Sequence, residues 1–270
     1  KALLAANAAD LEAQAGLGAA KRLRGLTGDA ERALGAVLRA DPRNAAALYQ
    51  MGQLRRTMGR AQEAERYLRA AVAQRRDMAQ AQYAVAVLLD EQGKAAAAEP
   101  WYQSAGRLDP RYAAPPGRMA ALLARLARHK DAEEQYRRAL VLDPVSSTLR
   151  RGLAEELRAQ GRKAEADLQA QVIATIESRK YDAIEGLAEK LVKPNPDEAL
   201  ALFTAASRVN PRDFHAFANI CVMLNGKQRW LEAEQAAEEA VRVQPGDPRL
   251  TEILDQMRHA AAPFHAAPAR

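Results

Sequence analysis

This sequence is poor in the residues from which reactive sites are made. It has one cysteine, Cys221, in 270 residues, which excludes an internal disulfide and a multi-cysteine metal site. Of its four histidines, His259 and His265 are too sparse for a metal site, and His129 and His215 stand singly. No Ser/His/Asp set or carboxylate pair recurs with catalytic logic, and Cys221 has no histidine or base at a spacing useful to a nucleophile. Gly16-Leu17-Gly18 looks like a phosphate loop but precedes no strand-flanked turn. No enzyme activity, metal or cofactor is expected. The chain also lacks a run of about eighteen apolar residues, so no transmembrane span is predicted. It opens at Lys1 without a methionine or a signal-peptide pattern. A mature form or a piece of a longer chain is expected, with cytoplasm and periplasm both open.

Aromatic residues are scarce as well, at 5%, although 48% of the chain is hydrophobic. Alanine carries much of the apolar fraction. It favours helix strongly, and small side chains let helices approach closely, so many thin helix–helix contacts are predicted in place of one deep core. The formal charge is +6 and the pI near 9.5. Residues 1–146 hold 23 Lys and Arg against 16 Asp and Glu, and residues 147–270 hold 17 against 18. The basic excess is therefore N-terminal. No dense basic cluster is interleaved with aromatics, so no nucleic-acid partner is expected.

What the chain has is a period. Ala30, Ala64, Ala98, Ala132, Ala166, Ala199 and Ala233 are spaced by 34, 34, 34, 34, 33 and 34 residues. Around each lies a copy of one phrase, clearest at residues 129–144 and 229–245. A fixed period in the thirties marks a solenoid, in which each unit touches mainly its neighbours. Positions 1–34 are counted from Leu11, Ala45, Ala79, Ala113, Ser147, Tyr181 and Phe214. Positions 1–14 and 16–30 predict two helices with a turn between. Position 15 carries Gly25, Gly59, Gly93 and Gly161, as a chain leaving a helix prefers. Position 32 carries Pro42, Pro110, Pro144, Pro211 and Pro245, each ending the second helix. Position 8 is small throughout, from Gly18 and Gly52 to Cys221. Position 7 is apolar (Leu17, Met51, Val85, Met119, Leu153, Leu187, Ile220), and position 24 is bulky in Leu34, Leu68, Tyr102, Tyr136 and Phe203. Small positions 8 and 20 predict close approach, with positions 7 and 24 filling the remaining space.

The expected units are 11–44, 45–78, 79–112, 113–146, 147–180, 181–213 and 214–247, after a helical lead-in at 1–10. The short interval places one missing residue in the turn at Lys193-Pro194-Asn195-Pro196. There Asn195 is expected to cap the next helix, with Pro196 at its first position and Glu198 as the reciprocal carboxylate. Pro115-Pro116-Gly117 is expected to delay the first helix of the fourth unit. Residues 248–259 read as a closing helix and 260–270 as a flexible tail or linker.

A 34-residue helix–turn–helix unit with a small position 8, alanine at 20, a large 24, alanine at 27 and proline at 32 resembles the tetratricopeptide repeat. The resemblance covers about residues 11–247. It departs from the family pattern at position 4, where the usual tryptophan gives way to Leu48, Gln82, Pro116, Arg150, Ile184 and Phe217. Pentatricopeptide arrays run nearer 35 residues and lack this alanine-and-proline code. The resemblance implies an all-α, right-handed α-solenoid of antiparallel helix pairs, whose first helices line a concave groove that holds a peptide or a partner segment.

Groove-facing positions would then present Tyr49, Gln50, Gln53 and Arg56, then Tyr83, Arg118, Arg125, Arg151, Arg158 and Asn219. Acids stand among them at Glu155, Glu185 and Glu189, with Asn225 near the end. Tyr49 and Tyr83 share position 5 of successive units and are expected to stack along one wall. Tyrosine with amides and arginine offers apolar area and directed hydrogen bonds together. The competing reading is that the two tyrosines only pack on neighbouring helices. Chaperone-binding relatives clamp a C-terminal carboxylate with Lys and Asn over three units; positions 5 and 9 here show no such clamp, so that ligand is not expected. Trp101 and Trp230 read as packing residues. The expected function is a scaffold that binds a protein or peptide segment. The alternatives are the recognition arm of a larger bacterial glycosyl- or sulfotransferase, which would place a further domain on the chain, or a structural subunit of an envelope export or pilus assembly.

Overall fold

The computed structural model describes residues 2–178, 181–193 and 196–265, with side chains from residue 10 and without those of residues 181 and 182. The described residues form fifteen helices and no strand. They divide into two compact units, residues 1–128 and 129–270. The N-terminal unit holds α1 (Ala2–Leu23), α2 (Thr27–Ala40), α3 (Ala45–Thr57), α4 (Ala61–Gln74), α5 (Ala79–Glu91), α6 (Ala95–Leu108) and α7 (Ala114–Arg125). The C-terminal unit holds α8 (His129–Leu142), α9 (Ser147–Ala159), α10 (Lys163–Glu177), α11 (Tyr181–Leu191), α12 (Pro196–Val209), α13 (Phe214–Gly226), α14 (Trp230–Val243) and α15 (Pro248–His265). No helix of the described residues is long and apolar enough to cross a membrane.

The turns follow from local chemistry. Gly25, Gly59, Gly93 and Gly161 take φ of 75°, 73°, 75° and 78°, the left-handed conformation that ends a helix. After α1, Leu26 N donates to Lys21 O and Gly25 N to Arg22 O, a Schellman closure. Ala127 and Gln228 occupy the same position without being glycine, at φ 56° and 58°. They make the same bonds, Arg128 N to Leu123 O and Arg229 N to Leu224 O, at the steric cost of a Cβ. Further along each unit, Asp41 and Asp109 turn a carboxylate oxygen to the N–H two residues on, at 3.0 Å in both cases. Asn44 then caps α3 by accepting from Ala47 N at 2.9 Å.

Packing repeats the same way. All seven alanines of position 20 are 0% exposed. Position 8 lies against position 24: a Cβ added at Gly18 would stand 2.6 Å from Leu34 Cδ2, and one at Gly52 would stand 2.7 Å from Leu68 Cγ. Leu34 and Leu68 are 0% exposed, and Tyr102 and Phe203 1%. The first two pairs thus close through one missing side chain and one large one.

Two expectations need correction, and the expected delay of α7 amounts to one residue. Leu17, assigned to the core at position 7, is 54% exposed, because no helix pair among the described residues covers that face of α1. Pro115 and Pro116 lie inside the first turn of α7, where a missing N–H costs nothing; the helix starts at Ala114, one residue late. Residues 260–265, expected in a tail, continue α15 to His265. Phe264 stacks on Trp230 of α14 at 4.9 Å, and His265 Nε2 lies 2.5 Å from Glu234 Oε2. That clasp keeps the last turn helical despite Pro263. Pro196 does begin α12, whereas Pro194 and Asn195, and with Asn195 the expected cap, lie outside the described residues, as do residues 266–270.

Candidate partner-binding face

In the N-terminal unit the first helices of successive pairs, α3, α5 and α7, carry the residues singled out by position. Tyr49 is half-buried on α3, and its hydroxyl accepts from Gln53 Nε2 at 3.1 Å. Arg56 Nε donates to Gln53 Oε1 at 3.2 Å, and Arg56 NH1 to Glu91 Oε1 of α5 at 2.7 Å. Gln50 Oε1 accepts from Arg22 Nε of α1 at 3.2 Å. Tyr49, Gln53 and Arg56 therefore form one hydrogen-bonded row that runs from α3 to α5, while Gln50 is tied separately to α1. Such bonds hold polar side chains in fixed rotamers and lower the entropy a partner must overcome.

Tyr83 stands at the same position one unit later. Its ring meets Tyr102 at 5.9 Å and 56°, and Tyr112 edge-on at 5.2 Å and 67°, geometries that aromatic pairs prefer. Among the described residues no ring contact joins Tyr49 to Tyr83, as the expected stack would require; the Tyr112 hydroxyl lies in the field of both. Burial raises the Tyr112 hydroxyl above the ordinary tyrosine range, and the Tyr83 and Tyr49 hydroxyls push it the same way. Tyr102 is raised by burial first, then by the Asp90 carboxylate and Tyr83. Arg118 on α7 is exposed, and its charge favours ionisation of Tyr102. Arg125 of α7 is ion-paired with Asp90 of α5, whose other oxygen accepts from Tyr102 at 3.4 Å. Tyrosine rings, amides and arginines thus meet on one half-exposed surface. Tyr112, in the loop before α7, and Tyr102, on a second helix, were missed by a search restricted to first helices.

The remaining candidates belong to the C-terminal unit. Arg151 is exposed on α9 and turns to Glu177 of α10, at 2.5 Å. Arg158 and Glu155 are exposed on the same helix, and Asn225 is exposed on α13. Asn219 is half-buried on α13 and lines a shallow pocket of ≈ 510 Å³ with Glu189, Lys190 and Phe203. Cys221 is 1% exposed and burial pushes its thiol up to about 11, as befits a core residue at position 8. His129 Nδ1 lies 2.8 Å from Glu156 Oε2, and His215 Nδ1 lies 3.2 Å from Asp213 Oδ1.

The most unusual residue of this unit is one the sequence marked only as a departure at position 4. Arg150 is 0% exposed. Its Nε and NH2 donate to Pro144 O at 3.1 and 2.9 Å, and NH1 to Gln169 Oε1 at 2.8 Å and Glu198 Oε1 at 2.9 Å. Burial presses its guanidinium below the ordinary value, and the Glu198 charge opposes that. Glu198 also lies 3.6 Å from Arg137. Nearby, Glu133 of α8 accepts from Gln160, Arg137 and Arg162. Burial raises that carboxyl, but the three donors together hold it below the usual range.

The tetratricopeptide-repeat family matches residues 49–113 and 194–248. No curated protein matches the chain. Among solved structures, a crystal structure of MamA superposes with a TM-score of 0.56 at 24% identity, over 61% of this chain and 96% of that one. A double mutant, MamA RS-1 ArsTM, gives 0.57 at 18% identity, over 63% and 96%. At these identities the likeness is one of fold.

Proposed function

We propose that this chain, which belongs to the tetratricopeptide-repeat family, is a protein-interaction scaffold that holds an extended partner segment on the tyrosine- and arginine-lined face of α3, α5 and α7. The observation that supports this most is the Tyr49–Tyr112–Tyr83 cluster flanked by Gln53, Arg56, Arg118 and Arg125. Tyrosine and arginine dominate binding hot spots because each joins a large contact area to directed donors. Here their rotamers are set by neighbours within the fold, so little freedom is left to lose on binding. Arg118, exposed at the edge of the cluster, adds a positive charge.

The test separates contact from packing. Tyr83 touches two other rings, so its removal would weaken the fold together with the face. Tyr49→Ala and Arg118→Ala are the informative changes. With a benzoylphenylalanine crosslinker at Gln53, each is expected to reduce partner crosslinking about tenfold, in the range of a hot-spot loss, with the far-UV circular dichroism and thermal midpoint nearly unchanged. Crosslinking that persists undiminished in the double variant would remove this face as the partner site.

A further inference from the structure

We propose a second binding site in the N-terminal unit: the crevice between α4 and α6, floored by Gln82 of α5, docks an acidic peptide segment. The crevice encloses ≈ 580 Å³ and is lined by Arg69, Arg76, Arg107, Trp101, Pro100 and Gln82, among others. It is lined by the second helices of two successive pairs and floored by Gln82, and it shares no lining residue with the tyrosine cluster. The inference does not depend on the function proposed above.

The counterpart of this crevice in the C-terminal unit is filled from within. Gln82 and Arg150 share position 4, and Arg76 and Pro144 share position 32. Gln82 Nε2 donates to Arg76 O at 2.6 Å, as Arg150 donates to Pro144 O. There the similarity ends. Arg150 continues outward to Gln169 and Glu198 and occupies its crevice with a guanidinium. Gln82 is too short to do so, and Trp101 stands at position 23 in place of Gln169. The result is an open space with a polar floor. Gln82 is 7% exposed and its Oε1 has no hydrogen-bond partner, a cost that a native fold usually removes.

The lining identifies the occupant. Three guanidinium groups surround an apolar patch of Trp101, Val72 and Pro100; Arg69 is ion-paired with Glu65 at 2.9 Å, and Arg76 and Arg107 are exposed. The unit as a whole carries 20 Lys and Arg against 12 Asp and Glu, while residues 129–270 carry 20 against 22. Carboxylates suit this charge. Gln82 Oε1 is an acceptor and asks for a donor. A peptide brings both carboxylates and N–H groups, whereas inorganic phosphate brings almost only acceptors. A nucleic-acid strand would need several stacking rings along a track, and the crevice offers one.

Trp101 provides the readout in a Trp230→Phe background, since the chain has two tryptophans. The probe is a fluorescein-labelled twelve-residue peptide of Glu-Ala-Glu repeats, followed by anisotropy and by Trp101 emission. Saturable binding is expected, with a shift in emission. Gln82→Arg is expected to weaken it at least about tenfold by filling the crevice as Arg150 does, although it adds a positive charge. Arg107→Gln is expected to weaken it about two- to fivefold, and Arg39→Gln, an exposed arginine on α2, less than about twofold. Equal or tighter binding by Gln82→Arg would reduce the effect to diffuse electrostatics and overturn the proposal. So would tighter binding of a twelve-residue oligothymidylate, or loss of the peptide in Tyr49→Ala/Arg118→Ala instead. If circular dichroism shows Gln82→Arg unfolded, the ratio of Arg107→Gln to Arg39→Gln decides: equal effects reject the crevice.

Discussion

The two units meet one packing requirement with different interior chemistry. In the N-terminal unit the buried polar side chains are Tyr102, Gln82 and Arg55, and Arg55 reaches out at 2.7 Å to Glu31, a carboxylate still 42% exposed. In the C-terminal unit Arg150, at 0%, is paired with Glu198, at 5%, so both charges are inside. Alanine at position 20 and a small residue at position 8 are common to both. The helix-pair code therefore constrains how close helices come and leaves the filling of the remaining space free. That freedom gives the first unit an aromatic face and an open crevice, and the second an ionic lock.

The largest expected effect breaks the lock. Glu198→Ala strands a buried guanidinium and is expected to cost about 3–5 kcal/mol in urea unfolding. The paired change Arg150→Met/Glu198→Leu is expected to be near neutral, because two apolar side chains need no compensation. A paired variant as damaged as the single one would mean that the ion pair itself stabilises the unit. Glycine separates packing from propensity within the same unit. A Cβ at Gly152 would collide with the Tyr136 ring, while Gly186 has nothing within 4 Å. Gly152→Ala is expected to lose about 1–3 kcal/mol and Gly186→Ala to gain roughly 0.5–1 kcal/mol; the same sign at both sites would contradict the close approach. At position 15, Ala127→Gly and Gln228→Gly are each expected to gain about 1 kcal/mol by relieving the left-handed strain. Thermal midpoints that do not rise would show the strain is absorbed elsewhere.

The smallest effects lie in pH, and they sort the units by opposite ends of the scale. Glu133 is held below its ordinary 4.5 in the folded chain. The stability it adds is present above that value and is lost as pH falls through the lower folded one. Glu133→Gln should therefore flatten the acid limb of a stability–pH curve. Tyr102 and Tyr112 are raised above 10, so their share is complete below pH 10 and drains as pH rises beyond it. Tyr102→Phe and Tyr112→Phe should flatten the alkaline limb and leave the acid one in place.

Much of this molecule was legible in its sequence because backbone rules are local. Glycine at position 15 names a left-handed turn, proline at 32 a stop, and seven alanines at fixed spacing a buried seam. Those signals need only a helical period and the φ preferences of single residues. The tyrosine face was half legible: Tyr49 and Tyr83 follow from register, but Tyr112 enters from a loop and Tyr102 from a second helix, so no period connects them. Ala127 and Gln228 were hidden because context imposes a conformation their own side chains disfavour. Arg150 and Glu198 stand 48 residues apart in the sequence. Nothing local to either predicts the pair, and an arginine at position 4 reads only as a departure from the usual tryptophan.

Positions 4 and 8 of a first helix lie one turn apart on one face, as Gln82 and Ala86 do on α5. At the second of these, where Gly18 and Gly52 abut Leu34 and Leu68, a single added methyl already collides. At the first, glutamine, arginine, leucine, isoleucine and proline are all accommodated within the same chain. Inheritance can therefore act on the two separately. Growth at position 8 beyond a small residue meets the large side chain at position 24, whereas change at position 4 gives a different filling of the space between second helices. A chain built this way can acquire a new ligand by a single substitution without renegotiating its architecture.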